Sequence, residues 1–72
     1  MAHLPELSGN EVVAAFRKFG WAVASTVNHV IMVKDGQAGS LSVPNHRKVA
    51  KGTLRSLIRD AGLTVDEFVA AT

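Results

Sequence analysis

The sequence predicts a small α+β protein in which helices cover one face of a three-stranded antiparallel sheet, giving two layers. Apolar residues recur at helical spacing in two segments, near residues 9–19 and 51–61. Between these segments, apolar residues alternate with polar or small ones as they do in strands. The links between the alternating stretches are of hairpin length, and such short links require antiparallel neighbours.

Length and composition indicate a single globular domain, residues 1–72. The chain is 47% hydrophobic and 19% charged, which is typical of a folded protein with one core. The absence of cysteine excludes a disulfide framework and a thiolate zinc site. No apolar run approaches the roughly 20 residues that span a bilayer, and the first residues do not form a signal peptide. We therefore expect a cytoplasmic protein without membrane association.

The first helix is expected to run from Gly9 to Phe19. Ser8 and Glu11 form an S-x-x-E capping box, a common start of a helix, and Gly20 provides the stop. Residues 1–7 show no comparable pattern, so we expect them to form a loose lead-in.

Three strands are expected next. The first alternates from Trp21 to Thr26, the second runs from His29 to Lys34, and the third runs from Ser40 to Val43. Strict alternation in the first strand would place its odd-numbered residues on one face of the sheet. Pro44 has no N–H to donate and should end the third strand.

A second helix follows a basic loop. Gly62 is expected to end it in the left-handed conformation, with Leu63 folded back onto Ile58. Thr64 and Glu67 repeat the capping box, which predicts a short last helix within residues 64–72. The helix–three strands–helix order is the layout of a double-stranded-RNA-binding-like fold, by analogy. The apolar stripe of the second helix consists of Leu54, Leu57, Ile58 and Ala61.

Five cations lie in one segment, although the formal net charge of the chain is only +2. Three of them are spaced four residues apart and should form a cationic edge beside the apolar stripe of the second helix. Such an edge is suited to binding an anion. Alternatively, the aliphatic parts of these side chains only cover apolar surface. The five are Arg47, Lys48, Lys51, Arg55 and Arg59.

The histidines are the candidate reactive residues. None belongs to a metal motif, because His3, His29 and His46 lie far apart with no carboxylate at ligand spacing, and we expect no metal or other cofactor. His29 lies at the start of the second strand, where it is either a half-buried structural residue or a catalytic one. His46 is expected to fix the loop before the helix by a hydrogen bond or, alternatively, to contact phosphate.

Three segments make the chain similar to the HicA (YcfA-like) family, which comprises small messenger-RNA-cleaving toxins of bacterial toxin–antitoxin modules. They are Phe19-Gly20-Trp21 at the end of the first helix, Asn28-His29 before an apolar strand, and SVPNHRKVAKGTLRSLIRDAGL from Ser42 onward. The resemblance covers the chain from Ser8 to Leu63.

This resemblance implies a double-stranded-RNA-binding-like fold, endoribonuclease activity and neutralisation by a HicB-type antitoxin protein. It places the catalytic histidine at His29. An imidazole suits this role without a metal, because it exchanges protons near neutral pH and RNA carries its own 2′-hydroxyl nucleophile. Asn28 either orients that imidazole or contacts RNA, or it merely ends a turn. The expected RNA contacts are Asn28, Arg47, Lys48, Lys51, Arg55 and Arg59.

One departure from the family pattern precedes the histidine. The family usually has a Gly-Ser lead there, whereas this chain has Thr26-Val27-Asn28. The bulkier Val27 is expected to narrow the approach of an RNA backbone, which affects the rate more than the chemistry. Two other functions stay open from the sequence: a non-catalytic RNA-binding module and a domain that only docks a partner protein.

Overall fold

The computed structural model describes residues 3–72 and contains six regular elements in the predicted order. Its three strands form one antiparallel sheet in the order β1-β2-β3, so the predicted meander and the α+β fold class are confirmed. The first helix, α1, contacts all three strands, the second helix packs on β3, and the third packs on the second. The elements are α1 (Gly9–Arg17), β1 (Ala22–Ser25), β2 (Val30–Val33), β3 (Leu41–Val43), α2 (Lys51–Asp60) and α3 (Val65–Ala70).

The predicted capping box opens α1. The Glu11 N–H donates to Ser8 Oγ at 3.2 Å, and the Ser8 N–H donates to the Glu11 carboxylate at 3.0 Å. The helix ends at Arg17, two residues before the predicted Phe19. Gly20 adopts a φ of 93°, and the chain folds back around it. Phe19 and Gly20 therefore form a turn that ends α1 rather than a further turn of the helix.

Strand β1 contains an irregularity that its sequence does not reveal. Val23 pairs with Met32, whereas Ser25 pairs with Ile31, so one extra residue of β1 lies between the two pairs. Directly opposed residues share a face, and Met32 and Ile31 lie on opposite faces of β2. The prediction that Val23 and Ser25 share a face is therefore wrong, because a β-bulge interrupts the alternation.

The ends of α2 and α3 follow their local sequence. Gly62 has a φ of 77°. The Leu63 N–H donates to the Ile58 carbonyl at 3.1 Å, and the Gly62 N–H donates to the Arg59 carbonyl at 3.0 Å. This is the predicted Schellman-type cap. The second predicted capping box is present at Thr64, where α3 begins.

One hydrophobic cluster fills the space between the helices and the sheet. At its centre, Phe16 of α1 and Phe68 of α3 lie with ring centroids 5.0 Å apart. Leu4 and Leu7 also belong to this cluster and are 4% and 6% exposed. The expectation of a loose lead-in is therefore corrected for residues 3–7, because these leucines bury apolar surface against the core. The first two residues of the lead-in lie outside the described part of the chain.

Candidate functional site at the loop end of the sheet

The pairing register brings two loops to one end of the sheet. Val30, the first residue of β2, pairs with Val43, the last residue of β3. Since these strands are antiparallel, the β1–β2 loop (26–29) and the β3–α2 loop (44–50) leave the sheet at the same end. We call the two loops, together with the first turn of α2, the loop end.

His29 is the last residue of the β1–β2 loop, directly before β2. Its side chain is exposed, as is that of Asn28, so neither belongs to the hydrophobic core. The imidazole makes no hydrogen bond to any other described residue. Val27, whose bulk departs from the family pattern, is 85% exposed and projects no surface into the core. The ring is therefore available to a ligand in solution.

Two backbone hydrogen bonds join the β3–α2 loop to the residues around the start of α1. The Gly9 N–H donates to the His46 carbonyl at 2.9 Å, and the Val49 N–H donates to the Leu7 carbonyl at 2.8 Å. Val49 is only 3% exposed and anchors the loop in the core. The loop thus has a fixed backbone although it contains no regular structure.

Gly9 allows this close approach. A Cβ atom at this position would lie 2.5 Å from the Pro44 carbonyl oxygen and 3.1 Å from the Asn45 Cα. Both contacts are with backbone atoms, which cannot turn aside as a flexible side chain can. Only glycine therefore lets the start of α1 pack directly beneath the loop.

The predicted cations divide between the loop end and the exposed side of α2. Arg47 and Lys48 lie in the β3–α2 loop, and Lys51 is the first residue of α2. Arg55 and Arg59 follow one and two turns later, so Arg59 stands about 12 Å along the helix axis from Lys51. All five side chains are exposed. The first three belong to the loop end, as His29 does, and Arg59 lies farthest from it along α2.

Two of these cations have carboxylate neighbours. Lys48 Nζ lies 3.0 Å from Glu6 Oε1, with the side chains 65% and 66% exposed, and Arg59 Nε lies 3.9 Å from Asp60 Oδ1. Pairs this exposed contribute little to stability and exchange readily with other ions. Glu6, Lys48 and Lys51 line an open cavity of about 360 Å³ together with Val49 and Ala50.

The start of α2 differs from that of the other helices. Its N-cap residue is Ala50, no side chain caps its first N–H groups, and its first turn contains no acidic residue. Uncapped N–H groups and the helix dipole place partial positive charge here. This charge adds to that of Lys48 and Lys51, so the loop end is electropositive.

A larger cavity of about 430 Å³ lies elsewhere, between the lead-in, α1 and the end of the chain. The Lys18 ammonium beside it donates to the Ala71 carbonyl at 2.7 Å. Neither His29 nor the β3–α2 loop contributes to its lining. Among residues 3–72, no group of three metal-ligating side chains is assembled, and no helix there is long and apolar enough to cross a membrane.

Sequence reasoning missed two residues of this site, Glu6 and Gly9. Glu6 lies in a segment without periodicity, and nothing in the sequence links it to Lys48, which is 42 positions away. Gly9 offered only a weak signal, since Gly52 also stands in the first turn of a helix although nothing approaches its Cβ position within 4 Å.

Taken together, fold and site define a small α+β protein of the double-stranded-RNA-binding-like type, with an exposed histidine and a group of cations at one end of its sheet. A family model described as the HicA toxin of bacterial toxin–antitoxin matches residues 9–63, about three quarters of the chain. The chain therefore belongs to the HicA toxin family, and an antitoxin partner follows from that membership. No curated protein and no solved structure matches the chain significantly.

Proposed function

We propose that this toxin is a cytoplasmic endoribonuclease that cleaves messenger RNA, with His29 as the catalytic residue. Membership of the HicA family supports the toxin role. The observation that carries the proposal is the position of His29: its ring is exposed and lies at the same end of the sheet as the loop with Arg47 and Lys48.

The chemistry needs little beyond a proton-transfer group and positive charge. The ribose holds the 2′-hydroxyl beside the phosphorus, so the nucleophile is already part of the substrate. His29 takes the proton of this hydroxyl or gives one to the leaving oxygen, and either transfer contributes about 10²–10⁴-fold to a rate. The reaction proceeds without a metal ion.

The cations bind the RNA and stabilise the charge that develops on the phosphate. Arg47, Lys48 and Lys51 contact the phosphate at the cleavage point, where fixed positive charge has its largest effect. Arg55 and Arg59 continue along α2 and hold the flanking backbone. Asn28, which is next to the histidine and also exposed, contacts the RNA.

The partner is a HicB-type antitoxin that covers His29 or competes with RNA for Arg55 and Arg59. Both surfaces are exposed and available to a protein ligand. Carboxylates of the partner would form charge-assisted hydrogen bonds with the arginines in place of phosphate.

Cleavage by the purified protein in excess chelator tests this function. We expect wild-type protein to cleave an RNA oligonucleotide but not its 2′-deoxy analogue, and His29→Ala to lose at least about 100-fold in rate. His3→Ala is the matched control, since His3 is also exposed but lies in the lead-in. Full activity of His29→Ala would refute the assignment. Salt-dependent RNA binding without any cleavage would indicate a binding module instead.

A further inference from the structure

Cleavage through the 2′-hydroxyl requires two proton transfers. The 2′-oxygen must lose a proton as it attacks phosphorus, and the 5′-oxygen must gain one as its bond to phosphorus breaks. One imidazole in one protonation state performs one of these transfers at a time. A site with His29 alone leaves the other transfer to water.

His46 lies in the β3–α2 loop, at the same end of the sheet as His29, and its side chain has no structural task. The sequence suggested that the imidazole fixes the loop by a hydrogen bond. In the structure the backbone does this, through the His46 carbonyl and the Gly9 N–H at 2.9 Å. The ring itself is exposed and makes no hydrogen bond within the described chain.

The strand register also brings the loops that hold the two histidines to the same end of the sheet. Continued one step beyond the last observed pair, Val30–Val43, the same register sets His29 opposite Pro44, and His46 follows two residues later. Adjacent strands lie about 5 Å apart, and two residues extend a chain by at most about 7 Å. The two backbones are therefore at most about 12 Å apart, a span across which two imidazoles can contact one phosphodiester.

We propose that His46 is a second catalytic residue, which performs the proton transfer that His29 does not. One imidazole accepts the 2′-hydroxyl proton while the 2′-oxygen bonds to phosphorus. As the phosphorus–5′-oxygen bond breaks, the other imidazolium gives its proton to the departing oxygen. The products are a 2′,3′-cyclic phosphate and a 5′-hydroxyl, with no net change in protons. This assignment rests on the proposed ribonuclease function.

A substrate with sulfur in place of the bridging 5′-oxygen identifies the proton donor. A thiolate leaves without protonation, so this substrate restores the rate of a variant that lacks the general acid but not of one that lacks the base. We expect His29→Ala and His46→Ala each to lose at least about 100-fold on normal RNA. We expect the sulfur substrate to bring one of them, and only one, to within about tenfold of wild type.

His46→Gln separates catalysis from structure. Glutamine retains hydrogen bonding but exchanges no proton at neutral pH, so we expect it to be as slow as His46→Ala with an unchanged melting temperature. Activity near wild type in His46→Ala or His46→Gln would overturn the proposal while leaving His29 as a single catalytic histidine. Rescue of both alanine variants, or of neither, would also overturn it. Absence of cleavage by the wild type would refute the ribonuclease function and this inference with it.

Discussion

The helices of this protein begin in two different ways. Helices α1 and α3 start with the same capping box, in which a hydroxyl and a glutamate satisfy backbone N–H groups from both sides. Helix α2 starts at Ala50 with no side-chain cap and no acidic residue. A cap of the first kind contributes about 1 kcal/mol. Helix α2 lacks this contribution at the helix start that borders the cationic loop.

The difference separates two helix starts that are closed by side chains from one that is open to a ligand. The capped helices carry Phe16 and Phe68, two aromatic rings that are fully buried in the core and pack against each other. The uncapped helix presents Lys51 and free N–H groups beside Lys48. Departures from local sequence rules tend to occur at functional sites, and a phosphate would satisfy the groups that no side chain satisfies here.

The largest expected difference in stability is between alanine variants of two glycines, one in the first turn of α1 and one in the first turn of α2. Gly9→Ala places a Cβ 2.5 Å from the Pro44 carbonyl oxygen, whereas a Cβ at Gly52 meets nothing within 4 Å. We expect Gly9→Ala to lower the free energy of unfolding by about 1–3 kcal/mol, and Gly52→Ala to raise it by up to about 1 kcal/mol. Chemical denaturation measures both.

Gly9→Ala should also slow RNA cleavage by more than its unfolded fraction explains, because the loop with His46, Arg47 and Lys48 must move away from α1. Cleavage assayed well below the melting temperature of the variant separates the two effects. Equal stability of the two glycine variants would show that the β3–α2 loop moves away from α1 without a loss of free energy of unfolding. The contact of Gly9 with the loop backbone would then not position the loop.

The sequence predicted those parts of the fold that depend on neighbours in the chain. Both capping boxes and the Gly62 cap involve residues within five positions of each other, so their chemistry is visible in the sequence. The bulge in β1 and the burial of Leu4 could not be predicted in this way, because each depends on a distant element. The same holds for the site: the residue types and the loop were predictable, whereas the contact of Gly9 with the loop joins residues 37 positions apart.

An intermediate effect is expected when α2 is given the cap that it lacks. Ala50 is exposed and has φ −59° and ψ 139°, near the polyproline II conformation and outside the helical region, as a capping residue requires. We expect Ala50→Asp to raise the free energy of unfolding by about 0.5–1 kcal/mol and to weaken RNA binding, because its carboxylate occupies the N–H groups and repels phosphate. Thermal unfolding and RNA titration measure the two effects.

Ala50→Asn is the control for the charge, since asparagine caps a helix about as well as aspartate. It should stabilise α2 to a similar degree and weaken RNA binding less. If both variants bind RNA as tightly as wild type, the start of α2 is not part of the RNA contact, and its lack of a cap has no functional reason.

The smallest effect is expected at Glu6, the carboxylate that pairs with Lys48 at 3.0 Å. Because both side chains are about two-thirds exposed, Glu6→Gln should change stability by less than about 0.5 kcal/mol. RNA binding should tighten at low salt, since Lys48 no longer has a competing anion. The slope of log K against log salt should steepen by up to about 0.7, the contribution of one phosphate contact on a single strand.

Asp35→Asn makes the same change of charge in the turn between β2 and β3, away from the loop end. It separates the local effect of Glu6 from that of net charge. A greater tightening by Glu6→Gln than by Asp35→Asn would place Lys48 in the RNA contact and make Glu6 its competitor. Equal tightening by both would mean that Lys48 binds no phosphate, and the positive charge at the cleavage point would then come from Arg47 and from Lys51 on the uncapped helix.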